Sequence, residues 1–343
     1  MIDLDNFVII FIINLVIAYF ISLYFTKKKI LIDNKSYSEH KTLLKNISVS
    51  PPLCGGIIIF INSIIFFQDL FLLSLFGFFL LLIGIFSDNN KISSPVLRII
   101  FQLIVLISFV FIINLNLEDL RIEFFNKLLA TKFISVIFTT FCILVLINGS
   151  NFLDGLNTLL VGYFILICSF LLILSNNYDL IINDNVVLLL VFLIGIYLFN
   201  FFGIFYLGDS GSYLISFYMG YFMIDFAIQN ESVSPYLICF FLWYPAFENL
   251  FSIIRRSNLK KKIHLPDQKH LHQMVYIYVA NSNVINHKIT NTFVGNLINI
   301  FNFIMFVNFY NYFNNTKILL YGIFINIFLY LILYYLLRKK LIK

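Results

Sequence analysis

Five polar groups hold the residues of this 343-residue chain whose types and spacing suit chemistry. The run Gly84-Ile85-Phe86-Ser87-Asp88-Asn89-Asn90 puts a carboxylate, Asp88, where it could bind a metal or accept a proton. Arg98 follows in the next apolar stretch, a cation that either meets a phosphate or snorkels to a membrane interface. Asn148-Gly149-Ser150-Asn151-Phe152-Leu153-Asp154-Gly155-Leu156-Asn157 gathers amide and carboxylate oxygens, the donor type that suits Mg²⁺. In Tyr206-Leu207-Gly208-Asp209-Ser210-Gly211-Ser212, glycines beside an acid and a serine expose backbone N–H groups at a helix start. That makes an anion cradle with Asp209 next to it to hold a metal; the plainer reading is a helix N-cap by Asp209 or Ser210. Pro266-Asp267-Gln268-Lys269-His270-Leu271-His272 sets two histidines beside a lysine, a pattern that could grip a diphosphate or line a metal. Zinc is poorly served there, with no cysteine and one nearby acid. Ser50-Pro51-Pro52-Leu53-Cys54-Gly55-Gly56 permits an abrupt helix start and close backbone approach, and alone it reads as a loop-to-helix junction.

The elements that carry these groups must sit in lipid. The chain is 61% hydrophobic and 12% charged, with a mean hydropathy of +0.94. Soluble domains carry about 25% charged residues. Soluble, disordered and fibrous classes are excluded, and an all-α, polytopic membrane protein is expected. Apolar runs predict about ten or eleven transmembrane helices: Asn6 to Phe25, Leu53 to Phe67, Leu70 to Phe86, Val96 to Asn114, Phe133 to Ile147, Thr158 to Ser175, Asn185 to Asn200, Ser212 to Ile228, Pro235 to Ile254, Val294 to Asn311 and Ile318 to Leu337. The second and third are short and separated by Gln68-Asp69, which predicts a tight hairpin or a re-entrant pair. The first is longer than a signal-peptide core and lacks a basic lead and a small-residue cleavage site, so it is expected to stay in place. Cys54, Cys142, Cys168 and Cys239 lie in or beside apolar runs and read as small hydrophobes.

Alternation of spans places 19 of the 23 Lys and Arg residues on one side, and this bias predicts a cytoplasmic location for that side. The N-terminus is then outside and the C-terminus inside. The net charge of +6 is therefore topological, and nucleic acid is not an expected partner. One transmembrane domain over residues 1–343 is expected, with cytoplasmic loops at 27–52, 87–98, 148–157, 201–211 and 255–293. All five histidines and the groups around Asp88, Asp154 and Asp209 fall on that side. A lipid and a soluble metabolite would meet there.

Taken in order, from about Asp33 to Gln273, the five groups resemble the family that transfers a hexosamine phosphate from a UDP-sugar to a polyprenyl phosphate. Phospho-N-acetylmuramoyl-pentapeptide transferase and the undecaprenyl-phosphate N-acetylglucosamine-1-phosphate transferases belong to it. The resemblance rests on Pro52 to Gly56, the acidic loop with Ser94-Pro95 and Arg98, Asn148 to Gly155, Gly208 to Ser212, and Pro266 to His272. It implies that Asp209 and Asn151 hold Mg²⁺, with Mn²⁺ as the alternative ion. It further implies catalytic roles for Asp88, Asp154 and Asp209, and substrate contacts from Asn157, Lys269, His270, His272 and Arg98. Undecaprenyl phosphate and a UDP-N-acetylhexosamine are the implied partners, within the lipid of the bacterial inner membrane. Pairing of two chains through a helix face stays open. Three positions depart from the family pattern: Ser87 replaces an acid, Asn157 replaces an acid, and Gln273 stands where a further histidine is common. Two other readings remain. One is a catalytically silent scaffold that binds prenyl phosphate. The other is a nucleotide-sugar or lipid transporter, against which no internal repeat is found and the acids sit at one face.

Overall fold

The computed structural model describes residues 4–32, 51–258, 269–282 and 285–341. His40, His264, Asp267 and the Lys260 to Lys262 run lie outside the described residues. Fourteen α-helices follow one another: α1 (Leu4–Lys28), α2 (Gly55–Phe66), α3 (Phe71–Asp88), α4 (Pro95–Ile113), α5 (Glu123–Leu129), α6 (Lys132–Leu153) and α7 (Leu159–Tyr178), then α8 (Asn185–Phe201), α9 (Gly208–Gln229), α10 (Pro235–Phe241), α11 (Trp243–Asn258), α12 (Leu271–Asn281), α13 (His287–Phe309) and α14 (Thr316–Leu341). Among the described residues the only extended pairings are two isolated bridges, Ile32 with Pro52 and Leu53 with Tyr206. The all-α, polytopic expectation holds. Among the described residues, seven helices are long and apolar enough to cross a membrane, or eight if α10 and α11 form one bent span. The shorter apolar α2 and α8, and the more polar α9, are the remaining elements read as spans.

Two boundaries differ from the sequence reading. The ninth expected span is broken: α10 and α11 meet at 71°. Pro245 falls in the first turn of α11, where its missing N–H costs nothing, while its ring clashes with a continuation of α10. The expected loop 148–157 is instead helical as far as Leu153, with Asp154 at the C-cap of α6. Its amides and hydroxyl therefore project from a rigid last turn rather than from a mobile connection.

α9 lies at the centre, packed against α2, α3 and α6, and most of its length is buried. Because it touches protein rather than lipid on all sides, it tolerates Ser210, Ser212 and Ser216. The Ser216 hydroxyl donates to the Ser212 carbonyl at 2.6 Å. Three close approaches fix where α9 begins. A Cβ on Gly56 would stand 2.6 Å from the Ser210 carbonyl carbon, and one on Gly55 2.8 Å from Leu207 Cα. A Cβ on Gly84 would strike the Ser210 backbone. The Tyr206 N–H donates to the Pro52 carbonyl at 3.0 Å, and the Gly55 N–H to the Tyr206 carbonyl at 3.1 Å. The Pro-Pro-Leu-Cys-Gly-Gly segment is thus a junction, as its plainer reading has it, and its glycines let α2 and α9 start side by side.

Elsewhere amides secure helices in lipid. Asn14 of α1 is fully buried; its amide nitrogen donates to the Val191 and Phe192 carbonyls of α8 at 3.2 and 3.3 Å. Its oxygen accepts from Asn62 of α2 at 3.1 Å. At the far end of the bundle from α9's start, Arg121 donates to the Asn314 and Ser232 carbonyls at 2.6 and 2.9 Å.

Candidate active site

The ends of α3, α6 and α11 and the starts of α2, α4, α9 and α12 converge at one end of the bundle. There the structure assembles two polar clusters joined by the last turn of α6.

The first is acidic. Asp88, last residue of α3, accepts from the backbone N–H groups of Asp209 and Ser210 at 2.9 and 3.1 Å. The anion cradle at the start of α9 is therefore filled by a carboxylate of the chain itself, which answers the unpaired N–H groups and positive end of that helix. Neither Asp209 nor Ser210 caps the helix by its side chain: the N-cap is Leu207. Gly208, at φ +71°, makes the entry turn, and a Cβ there would meet Asp88 Oδ2 at 2.8 Å. Asp209 points away from this cap. It receives Arg98 at 2.9 Å, the Ser87 hydroxyl, and the Tyr213 hydroxyl at 3.4 Å. The same guanidinium nitrogen of Arg98 donates to Ser87 at 2.9 Å. Ser94 caps α4, Pro95 opens it, and Arg98 is thereby set one turn in, facing α3 and α9. Asp209 and Arg98 retain 25% and 23% of their side-chain exposure, so both remain open to a ligand.

The second cluster is aromatic and basic. His270 lies parallel to Phe152 at a centroid distance of 4.8 Å and to His272 at 5.6 Å. Arg256 sits 6.0 Å from the Phe152 ring centre. The Nδ1 of His270 donates to Glu248 at 2.9 Å, and Tyr330 donates to the other carboxylate oxygen at 2.9 Å. Arg255 donates to the Lys269 carbonyl and, at 2.9 Å, to the Tyr334 hydroxyl.

The last turn of α6 reaches both. Asn151 accepts at 2.8 Å from Ser212, whose hydroxyl also lies 3.2 Å from the Asp209 carbonyl. Phe152 joins the ring stack. Gly155 follows Asp154 and has His272 Nε2 3.3 Å from where its Cβ would be. Asn157 stands apart: its N–H donates to Asn291 of α13 at 2.9 Å, tying the α6–α7 turn to α13. Lys269 is exposed, at the entry to α12.

For a divalent cation, the donors at hand are the Asp209 carboxylate and the Asn151 amide oxygen. Among the described residues no three His, Cys, Asp or Glu side chains are grouped to hold a metal. An ion such as Mg²⁺, which keeps waters and takes substrate phosphates, fits one carboxylate and an amide; a closed zinc cage does not. Sequence reasoning missed Glu248, Arg255 and Tyr330, which lie inside apolar or topological stretches and acquire partners only through the α10–α11 bend and α14.

Among models of known protein families, the one described as glycosyl transferase family 4 matches residues 70–227. The match runs from the start of α3 almost to the end of α9 and covers Asp88, Arg98, Asn151, Asp154, Asn157 and Asp209. No curated protein matches the chain.

Proposed function

We propose that this chain, whose residues 70–227 match the model of glycosyl transferase family 4, a family of polyprenyl-phosphate sugar-phosphate transferases, moves a hexosamine-1-phosphate from a UDP-sugar to undecaprenyl phosphate. The observation that supports this most is the union, at one end of the bundle, of an acidic cluster and a basic ring stack across a single helical turn. In the reaction a lipid phosphate oxygen attacks the β-phosphorus of the donor. The bond to the bridging oxygen breaks, and UMP departs with that oxygen. Both reactants are anions, so the chemistry is dominated by positioning and charge screening rather than proton removal.

The roles divide accordingly. Asp209 and Asn151 would hold Mg²⁺, which when bound supplies positive charge against the diphosphate. Asp88 keeps the start of α9, and so Asp209, in place. Arg98 offers a guanidinium to the lipid phosphate, exchanging Asp209 for it. His270, His272, Arg256 and Lys269 would meet the donor's diphosphate, and Asp154, at the C-cap of α6, would serve the same site. A prenyl phosphate is already ionised near neutral pH, which makes Ser87 tolerable where an acid is usual. The face is the cytoplasmic one of a bacterial inner membrane, and the product starts a lipid-linked glycan of wall, O-antigen or capsule type.

The test is UMP release by purified protein given undecaprenyl phosphate, Mg²⁺ and a panel of UDP-hexosamines. Release that requires lipid and metal together is expected. Folded protein that releases no UMP from any donor overturns the reading in favour of a silent scaffold or a transporter.

A further inference from the structure

A carboxylate buried in a membrane bundle is costly unless it is fully partnered. Glu248, one turn past the α10–α11 bend, is 0% exposed and uses both oxygens, one toward His270 Nδ1 and one toward the Tyr330 hydroxyl of α14. His270 is itself 1% exposed and flanked by Phe152 and His272. Its Nε2 is buried and has no hydrogen-bond partner among the described residues. A carboxylate on Nδ1 makes that nitrogen the protonated one and fixes the ring plane, which leaves Nε2 as the atom available to a ligand. A proton carried on Nε2 would be donated to an anionic oxygen placed there.

We propose that Glu248 is a positioning residue: together with Tyr330 it orients His270 so that Nε2 meets a nucleoside diphosphate. This rests on the transferase reading above and extends it to a part of the chain, α11 to α14, that the family match does not reach. Two further contacts support it. Arg255 ties the Lys269 carbonyl, immediately before His270, to Tyr334 on α14. The His270 N–H also donates to Gln273 Oε1 at 3.4 Å, closing the first turn of α12. The histidine is thus held by its ring nitrogen, its ring faces and its backbone. The position common to a further histidine in the resemblance, Gln273, serves here in the backbone hold.

The experiment uses full-length protein in detergent and two readouts: calorimetric binding of UDP, and UMP-release kinetics with separate KM values for donor and lipid. Glu248→Gln is expected to weaken UDP binding and raise donor KM by about tenfold, with lipid KM unchanged. Tyr330→Phe, which keeps the ring packing, is expected to cost about threefold. The double variant Glu248→Gln/His270→Gln should bind UDP no more weakly than His270→Gln alone, because Glu248 acts through that ring. Losses that multiply in the double variant, or wild-type UDP binding in Glu248→Gln, overturn the proposal. If Glu248→Gln does not fold, wild-type UDP binding by Tyr330→Phe overturns it instead. UDP binding that follows the expected pattern in a protein that turns over no donor would remove the transferase reading and leave the orientation of His270 standing.

Discussion

Two carboxylates in the acidic cluster do different work. Asp88 spends both oxygens on backbone N–H groups, whereas Asp209 faces a cation and keeps a quarter of its surface. Asp209→Ala is therefore expected to lower UMP release at least 100-fold, about 2.7 kcal/mol of barrier, with the melting temperature of the protein little changed. Activity within tenfold of wild type would remove the metal role from Asp209. Asp88→Asn keeps one oxygen acceptor of two and loses the charge opposite the α9 end. It is expected to destabilise the fold by about 1–3 kcal/mol, read as thermal unfolding in detergent, with a smaller rate loss than Asp209→Ala. That Asp88 and Asp209 are candidates for a site was legible from residue type and flanking glycines. That Asp88 is the cap of another helix was not, because the two lie 121 positions apart and no local pattern records the pairing. Glu248 was hidden for the same reason: a single acid in an apolar run looks like any other until His270 and Tyr330 are seen on it.

The element scale explains the glycine-rich segments. α2, α3 and α9 meet backbone to backbone, and the glycines at 55, 56 and 84 are what permit it. Gly56→Ala would set a methyl 2.7 Å from Gly211 N, an atom that cannot rotate aside. The expected result is a loss of about 1–3 kcal/mol in stability together with loss of activity, since the start of α9 must shift. Gly220→Ala, farther along the same helix, is the control: its Cβ finds Leu146 and Ile143 side chains at 3.4 Å and beyond, and near wild-type stability is expected. Equal stability of the two variants would remove this account of the junction. Spans were readable as apolar runs because lipid-facing helices such as α1 and α4 announce themselves by composition. Breaks were less readable. Pro245 signals a discontinuity, but an unbroken hydropathy profile over residues 235–254 masks the 71° turn that carries Glu248 toward α12.

At the scale of the molecule, the site end and the Arg121 end are chemically distinct, and the basic bias of the connections predicts which one meets the cytoplasm. Lys269→Cys is expected to react with an impermeant maleimide in inside-out vesicles and not in right-side-out ones. Asp119→Cys should show the opposite pattern, each read against the unsubstituted chain to account for its four native thiols. Matching labelling of both from one side would reject the assigned orientation. The amide lock on α1 has a consequence in time. Asn14 finds its acceptors on α8, 177 and 178 positions downstream. At about 5–20 residues per second of synthesis, those carbonyls emerge roughly ten to thirty-five seconds after α1 does. Through that interval the first helix waits in the bilayer with its amide nitrogen unanswered, although Asn62 of α2 reaches the amide oxygen earlier. The nascent chain is then most exposed to chaperoning or quality control before α8 arrives, and an Asn14→Leu chain would pass through the same interval without that handle.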